Sequence, residues 1–114
     1  MHNNDIEFIH DNNINFLHNN NSHIVIELLV NNHPGVMSHI TGLFSRRAFN
    51  LEGILCGSIG DGSKSKMYLL VKNDTFLEQI IKQVRKLHDV LDIEVYEDYD
   101  ESIFRNPERF LNIE

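Results

Sequence analysis

The stretch HIVIELLVNNHPGVM, residues His23 to Met37, decides the fold. Ile24, Ile26, Leu28 and Val30 alternate on one face, with Val25, Glu27 and Leu29 on the other. That is the period of a strand. Asn31-Asn32-His33-Pro34-Gly35 then supplies a turn. From Val36 to Phe49 the apolar residues recur at helical spacing (Val36, Ile40, Leu43, Phe44), and Arg46 and Arg47 sit where a helix C-terminus favours positive charge. Asn50 is a candidate left-handed cap.

Working outward, Leu51–Ile59 reads as a second strand, weakened by Gly53 and Gly57. Gly60-Asp61-Gly62-Ser63 is a turn, and Lys66–Lys72 returns as a third strand with Met67, Leu69 and Val71 on its core face. Thr75-x-x-Glu78 has the form of a capping box opening a second helix, whose buried stripe is Phe76 or Leu77, Ile80, Ile81, Val84 and Leu87. Val90–Tyr96 alternates Leu91, Ile93 and Val95 against Asp92, Glu94 and Tyr96 as a last strand. The order is βαββαβ, an α+β, ferredoxin-like fold. Right-handed crossovers put both helices on one face of a four-stranded antiparallel sheet. Residues 23–97 form this domain. Residues 1–22, crowded with Asn, are expected to be a disordered lead that Ile6, Phe8 and Ile9 touch to the domain. Residues 98–114 form an acidic and apolar tail.

At 114 residues the chain allows one domain. Ten Lys and Arg against 17 Asp and Glu give −7, which disfavours duplex DNA or an anionic membrane as a partner. No apolar run approaches the roughly 18 residues of a membrane helix, and the N-terminus lacks a signal-peptide pattern. One cysteine, Cys56, excludes an internal disulfide and fits a reducing cytoplasm.

Chemistry-bearing clusters are sparse. The seven histidines lack metal-ligand spacing on a confident helix, and Cys56 lies in a strand, where a lone thiol is usually a small buried hydrophobe. No catalytic set stands out. The informative place is Asn32–Val36, where a strand ends and a helix begins. Free backbone N–H groups and the positive end of the helix dipole converge there and can hold a carboxylate. Gly35 admits a ligand close to the backbone, and Asn32 offers both a donor and an acceptor.

These residues carry a resemblance. Asn32-His33-Pro34-Gly35-Val36-Met37, followed by Gly42-Leu43-Phe44-Ser45-Arg46-Arg47-Ala48-Phe49-Asn50-Leu51-Glu52-Gly53-Ile54-Leu55-Cys56, resembles the ACT domain of the acetolactate synthase (acetohydroxyacid synthase) small regulatory subunit, in its short isozyme-I form. Leu77–Ile80 and Lys86-Leu87-x-Asp89-Val90 fit as well, so the match spans about Ile24 to Glu97. The resemblance implies a non-catalytic regulatory subunit in branched-chain amino acid biosynthesis. Such a subunit activates the catalytic (large) subunit and confers feedback inhibition by L-valine. Thiamine diphosphate, Mg2+ and FAD would belong to the catalytic subunit, and none to this chain. Asn32, Gly35, Val36 and Met37 of one protomer would line the effector site, completed by Asn50 and Leu51 of the other. The homodimer would form by pairing of strand two, an edge strand, across a two-fold axis. The lead to Ser22 is longer than the short form has, and the second domain of longer small subunits is absent. The Glu97–Glu101 segment and the Phe104/Phe110 tail are expected to help dock the catalytic subunit.

The alternative is a free-standing ACT-domain sensor of an amino acid or metal, with no enzyme partner. A single-stranded RNA binder on the same fold would need aromatic and basic flanks on the open sheet face. The −7 charge opposes it.

Overall fold

The computed structural model describes residues 22–100, 102–106 and 108. The elements follow the expected order: β1 (His23–Asn31), α1 (Val36–Arg46), β2 (Gly53–Ile59), β3 (Lys64–Lys72), α2 (Leu77–Arg85), β4 (Val90–Tyr96) and a short α3 (Ser102–Arg105). The four strands make one antiparallel sheet in the order β2-β3-β1-β4, so β2 and β4 are its edges. The Asn-rich lead and Phe110 lie outside the described residues.

The period-2 alternation of β1 sets the layers. Ile24, Ile26, Leu28 and Val30 join Met67, Leu69 and Val71 of β3 and Ile93 and Val95 of β4 in one buried cluster. Val36, Ile40 and Phe44 of α1 and Leu77, Ile80, Ile81 and Val84 of α2 cover it. Leu77, not Phe76, is the buried member at the start of α2, and Phe76 is exposed.

Local details depart from the sequence expectations for identifiable reasons. Helix α1 stops at Arg46, short of Phe49, because Ala48 takes a left-handed φ of 60°. The N–H groups of Ala48 and Phe49 close back on the Ser45 and Phe44 carbonyls, the pattern of a left-handed helix end. Asn50 therefore is not the cap. The expected Thr75–Glu78 capping box is replaced by Asp74, whose Oδ1 accepts from the Phe76 N–H at 2.8 Å. Leu91 was expected inside, but a register shift in the β1–β4 ladder leaves it exposed and brings Val90 against the core. Cys56 is exposed, not a buried hydrophobe.

The exposure of Cys56 has a structural cause. Ile54 and Cys56 pair with Leu69 and Met67, so they share the helix-covered face, yet both are exposed while their partners are buried. The two helices cover β1, β3 and β4 and stop short of β2.

Candidate functional site

The Asn31–Gly35 turn is pinned on both flanks. Toward β3, the Asn32 N–H donates to Ser63 O at 2.9 Å, and the Asn32 amide Nδ2 donates to Gly62 O at 2.8 Å. Toward β4, the Asn31 N–H donates to Asp89 O at 2.9 Å, and the Asn31 amide reaches Asp89 Oδ1 at 3.3 Å. His33 adds a charged tie, with Nε2 donating to Asp89 Oδ1 at 2.7 Å and Nδ1 to Pro34 O at 3.2 Å. Both ring nitrogens face acceptors, so only the imidazolium satisfies the set. The hydrogen bond to Asp89, with help from the Pro34 carbonyl, raises His33 above its ordinary value. Asp89 is held below the usual carboxylate range, first by His33 and also by Asn31. In the sequence Asp89 entered only as part of the Lys86–Val90 resemblance, with no role assigned to it. It lies 56 positions from His33, and only the β1–β4 pairing brings the two together.

Gly35 is the N-cap of α1 with φ 88°, and no side chain caps the helix. A Cβ added there would meet nothing within 4 Å, so glycine is needed for its backbone angle and leaves the approach open. The Val36 N–H makes only a long 3.3 Å contact to His33 O. Among the described residues, the N–H groups of Gly35, Met37 and Ser38 have no backbone acceptor. Unsatisfied donors at a helix N-terminus form a place for a carboxylate. With its Nδ2 donating to Gly62, Asn32 keeps its carbonyl Oδ1 as an acceptor for a cation. The Val36 side chain is buried in the core, so only its backbone faces this place, whereas Met37 is 44% exposed.

Asn50 and Leu51 lie elsewhere. Asn31 pairs with Lys64, which pairs with Ile59, so the Gly35 turn sits at the end of the sheet where β2 finishes. Asn50 and Leu51 precede β2, at the opposite end. Seven strand residues separate the ends by about 20 Å. Leu51 packs partly buried against the core. Asn50 is exposed and lines a cavity of about 640 Å³ with Arg47, Phe49, Lys72, Phe76 and Gln79. Within one chain the six expected effector residues therefore form two groups, not one site. Among the described residues no three His, Cys, Asp or Glu side chains converge on a possible metal position. None of the described helices is long and apolar enough to cross a membrane.

A βαββαβ layer with this strand order and a glycine-opened helix start at the end of the sheet is the framework of an ACT domain. The fold is shared with the regulatory subunit of aspartate kinase from Thermus thermophilus, at a TM-score of 0.58 and 20% identity over 69% of this chain and 53% of that one. Residues 26–92 match the AHAS small subunit-like ACT domain, and the chain belongs to that family. It is 56% identical over 72 residues to the acetolactate synthase isozyme 1 small subunit of Escherichia coli K12, covering 63% of this chain and 75% of that protein. It is 41% identical over 81 residues to the acetolactate synthase small subunit of Mycobacterium bovis, covering 70% and 48%. The acetolactate synthase small subunit structure from Thermotoga maritima aligns with a TM-score of 0.58 at 36% identity, covering 64% and 46%. The chain thus spans three quarters of the Escherichia coli relative and about half of the longer ones.

Proposed function

We propose that this chain is the regulatory subunit of an acetolactate synthase, activating its catalytic subunit and sensing L-valine at a site shared by two copies. One observation carries the shared site. The uncapped helix start and the Asn50–Leu51 segment lie at opposite ends of β2, an edge strand whose helix-side residues Ile54 and Cys56 are uncovered. Pairing β2 with β2 of a second copy about a two-fold axis places the start of one strand beside the end of the other. Each Gly35 turn then meets the partner's copy of Asn50 and Leu51. The edge is closed, and the exposed Ile54 and Cys56 gain cover.

In this dimer the α-carboxylate of valine meets the free N–H groups at the start of α1, and Asn32 Oδ1 accepts from its ammonium. The Asn50 amide adds a polar contact, while Met37 and Leu51 offer apolar contact to the branched side chain. A pocket of this kind separates side chains that differ by one methylene by only about 1–3 kcal/mol. Valine can inhibit only if the bridged state holds the catalytic subunit differently from the unbridged one.

Calorimetric titration with L-valine, beside leucine, isoleucine and D-valine, tests the reading. The expected result is saturable, stereoselective binding near one site per chain. Absence of binding both alone and with the catalytic subunit present would overturn the sensing role. Failure to raise the catalytic subunit's activity would overturn the regulatory one.

A further inference from the structure

The sheet face opposite α1 and α2 carries a cavity of about 320 Å³ that the effector site does not use. Its floor is Val25, Tyr68 and Tyr96, its far wall is Ile103 and Phe104 of α3, and Asp98 stands at its rim. The wall is held in place by specific contacts. A Cβ on Gly53 would lie 2.5 Å from Phe104 Cδ1, so the missing side chain is what lets the ring settle on β2. Tyr99 meets Phe104 edge-on with centroids 6.5 Å apart. Asp100 Oδ1 accepts from the Ser102 N–H at 3.0 Å and its hydroxyl at 2.8 Å, fixing the start of α3.

The floor offers rings, not hydroxyls. Tyr68 donates to Glu27 Oε2 at 2.6 Å, and Tyr96 reaches Glu27 Oε1 at 3.1 Å and Glu94 Oε1 at 2.7 Å. An occupant therefore meets aromatic and aliphatic surface. Acidic side chains outnumber basic ones around it: Asp92 and Glu94 lie along β4, Asp98 and Asp100 follow, and Arg105 stands next to Phe104 on α3. The Lys66 ammonium on this face is engaged by Glu27 at 3.2 Å.

We propose that this groove docks the acetolactate synthase catalytic subunit by receiving an apolar side chain flanked by Lys or Arg. The proposal rests on the regulatory-subunit reading above. Charge complementarity selects this occupant, because a second copy of a chain carrying −7 would bring acid against acid. Position agrees, since the groove lies on the sheet face opposite the helices, which edge-to-edge pairing of β2 with a second copy leaves uncovered.

The test measures binding of the full-length chain to the purified catalytic subunit of the same organism, with Ile103→Asp and Asp98→Lys variants and Lys82→Glu as a control on the outer helix face. Ile103→Asp and Asp98→Lys should each weaken binding at least ~10-fold, with the Asp98→Lys effect shrinking at high salt. The control should change it less than ~2-fold, within the range of an ordinary surface substitution. L-valine titration of both groove variants should match that of the unaltered chain. Equal catalytic-subunit affinity for all variants overturns the groove and leaves the regulatory reading standing. No binding by the unaltered chain overturns both. A loss of oligomer mass in the groove variants would put a second copy in the groove. Lower thermal stability at unchanged affinity would put the chain's own last residues there. Either result overturns the proposal. If Ile103→Asp does not fold, the exposed Asp98→Lys substitution decides.

Discussion

Ala48 holds φ 60°, a conformation that costs an L-residue about 1–2 kcal/mol, yet the end of α1 requires it. Ala48→Gly should stabilise the fold by about 1 kcal/mol, the strain relieved less the extra entropy of an unfolded glycine, as read by urea denaturation. Gly35 is the converse case, with φ 88° and open space around it, so Gly35→Ala should destabilise through the backbone alone. His33 and Asp89 tie the same turn by charge. A raised His33 contributes its stabilisation fully below the ordinary histidine value and loses it as pH rises through the raised one. A lowered Asp89 contributes above the ordinary carboxylate value and loses it as pH falls through its depressed one. The tie therefore contributes fully between the ordinary carboxylate and ordinary histidine values, and fades beyond them towards Asp89's depressed value and His33's raised one. Asp89→Asn should return His33 toward its ordinary value in an NMR titration. An unmoved His33 would assign the shift to the Pro34 carbonyl.

At the scale of elements, β2 is where the chain's interactions meet. Gly53→Ala should push Phe104 off the sheet, costing about 1–3 kcal/mol as an overpacked contact. It should also open the Tyr99–Phe104 segment to chymotrypsin. Cys56 stands at the middle of β2 and is the chain's single cysteine, so it reports directly on two-fold pairing. Directly opposed residues on antiparallel strands have Cβ atoms about 4.5–5.5 Å apart, near the reach of a disulfide. Mild oxidant should therefore give a dithiothreitol-reversible dimer. Partial desolvation by its neighbours on the sheet raises the exposed thiol above its ordinary value, so the reaction should quicken at alkaline pH. A dimer that resists oxidation at any pH would point to another interface. Strands and helices were legible in the sequence because hydrophobic period is local: β1, β3 and β4 lie within two residues of their expected bounds. Glu27 shows what was not legible. Alternation put it on the outward face, but it is only 9% exposed, because residues 41 and 69 positions away bring hydroxyls to it. Burial pushes its carboxyl up, but the bonds from Tyr68, Glu94, Lys66 and Tyr96 outweigh this and hold it low. The residues proposed for the effector were chosen by motif, and their division between the two ends of a strand emerged only from the sheet order.

For the whole molecule, a ligand that bridges two copies must be linked to their association. Valine that binds only the assembled site stabilises the dimer by about 2.7 kcal/mol per site when present at a hundred times its Kd. Sedimentation at a protein concentration near the dimer dissociation constant should therefore show L-valine, and not D-valine, shifting mass from monomer to dimer. Asn50→Ala separates the effector's share from that of the strand edge. Asn50 is exposed and outside the β2 ladder, so its loss should leave the ligand-free equilibrium in place. The valine-driven shift should shrink, because one polar contact from the second copy is gone. Such a contact contributes about 0.5–1.5 kcal/mol, or roughly 2- to 13-fold in Kd. Weakening of the ligand-free dimer by the same factor would make Asn50 a structural residue of the interface. A valine response equal to that of the unaltered chain would place the effector within one protomer, on the Gly35 turn alone. The two-copy site depends on the first of these three outcomes, because two half-sites about 20 Å apart in one chain cannot touch the same valine.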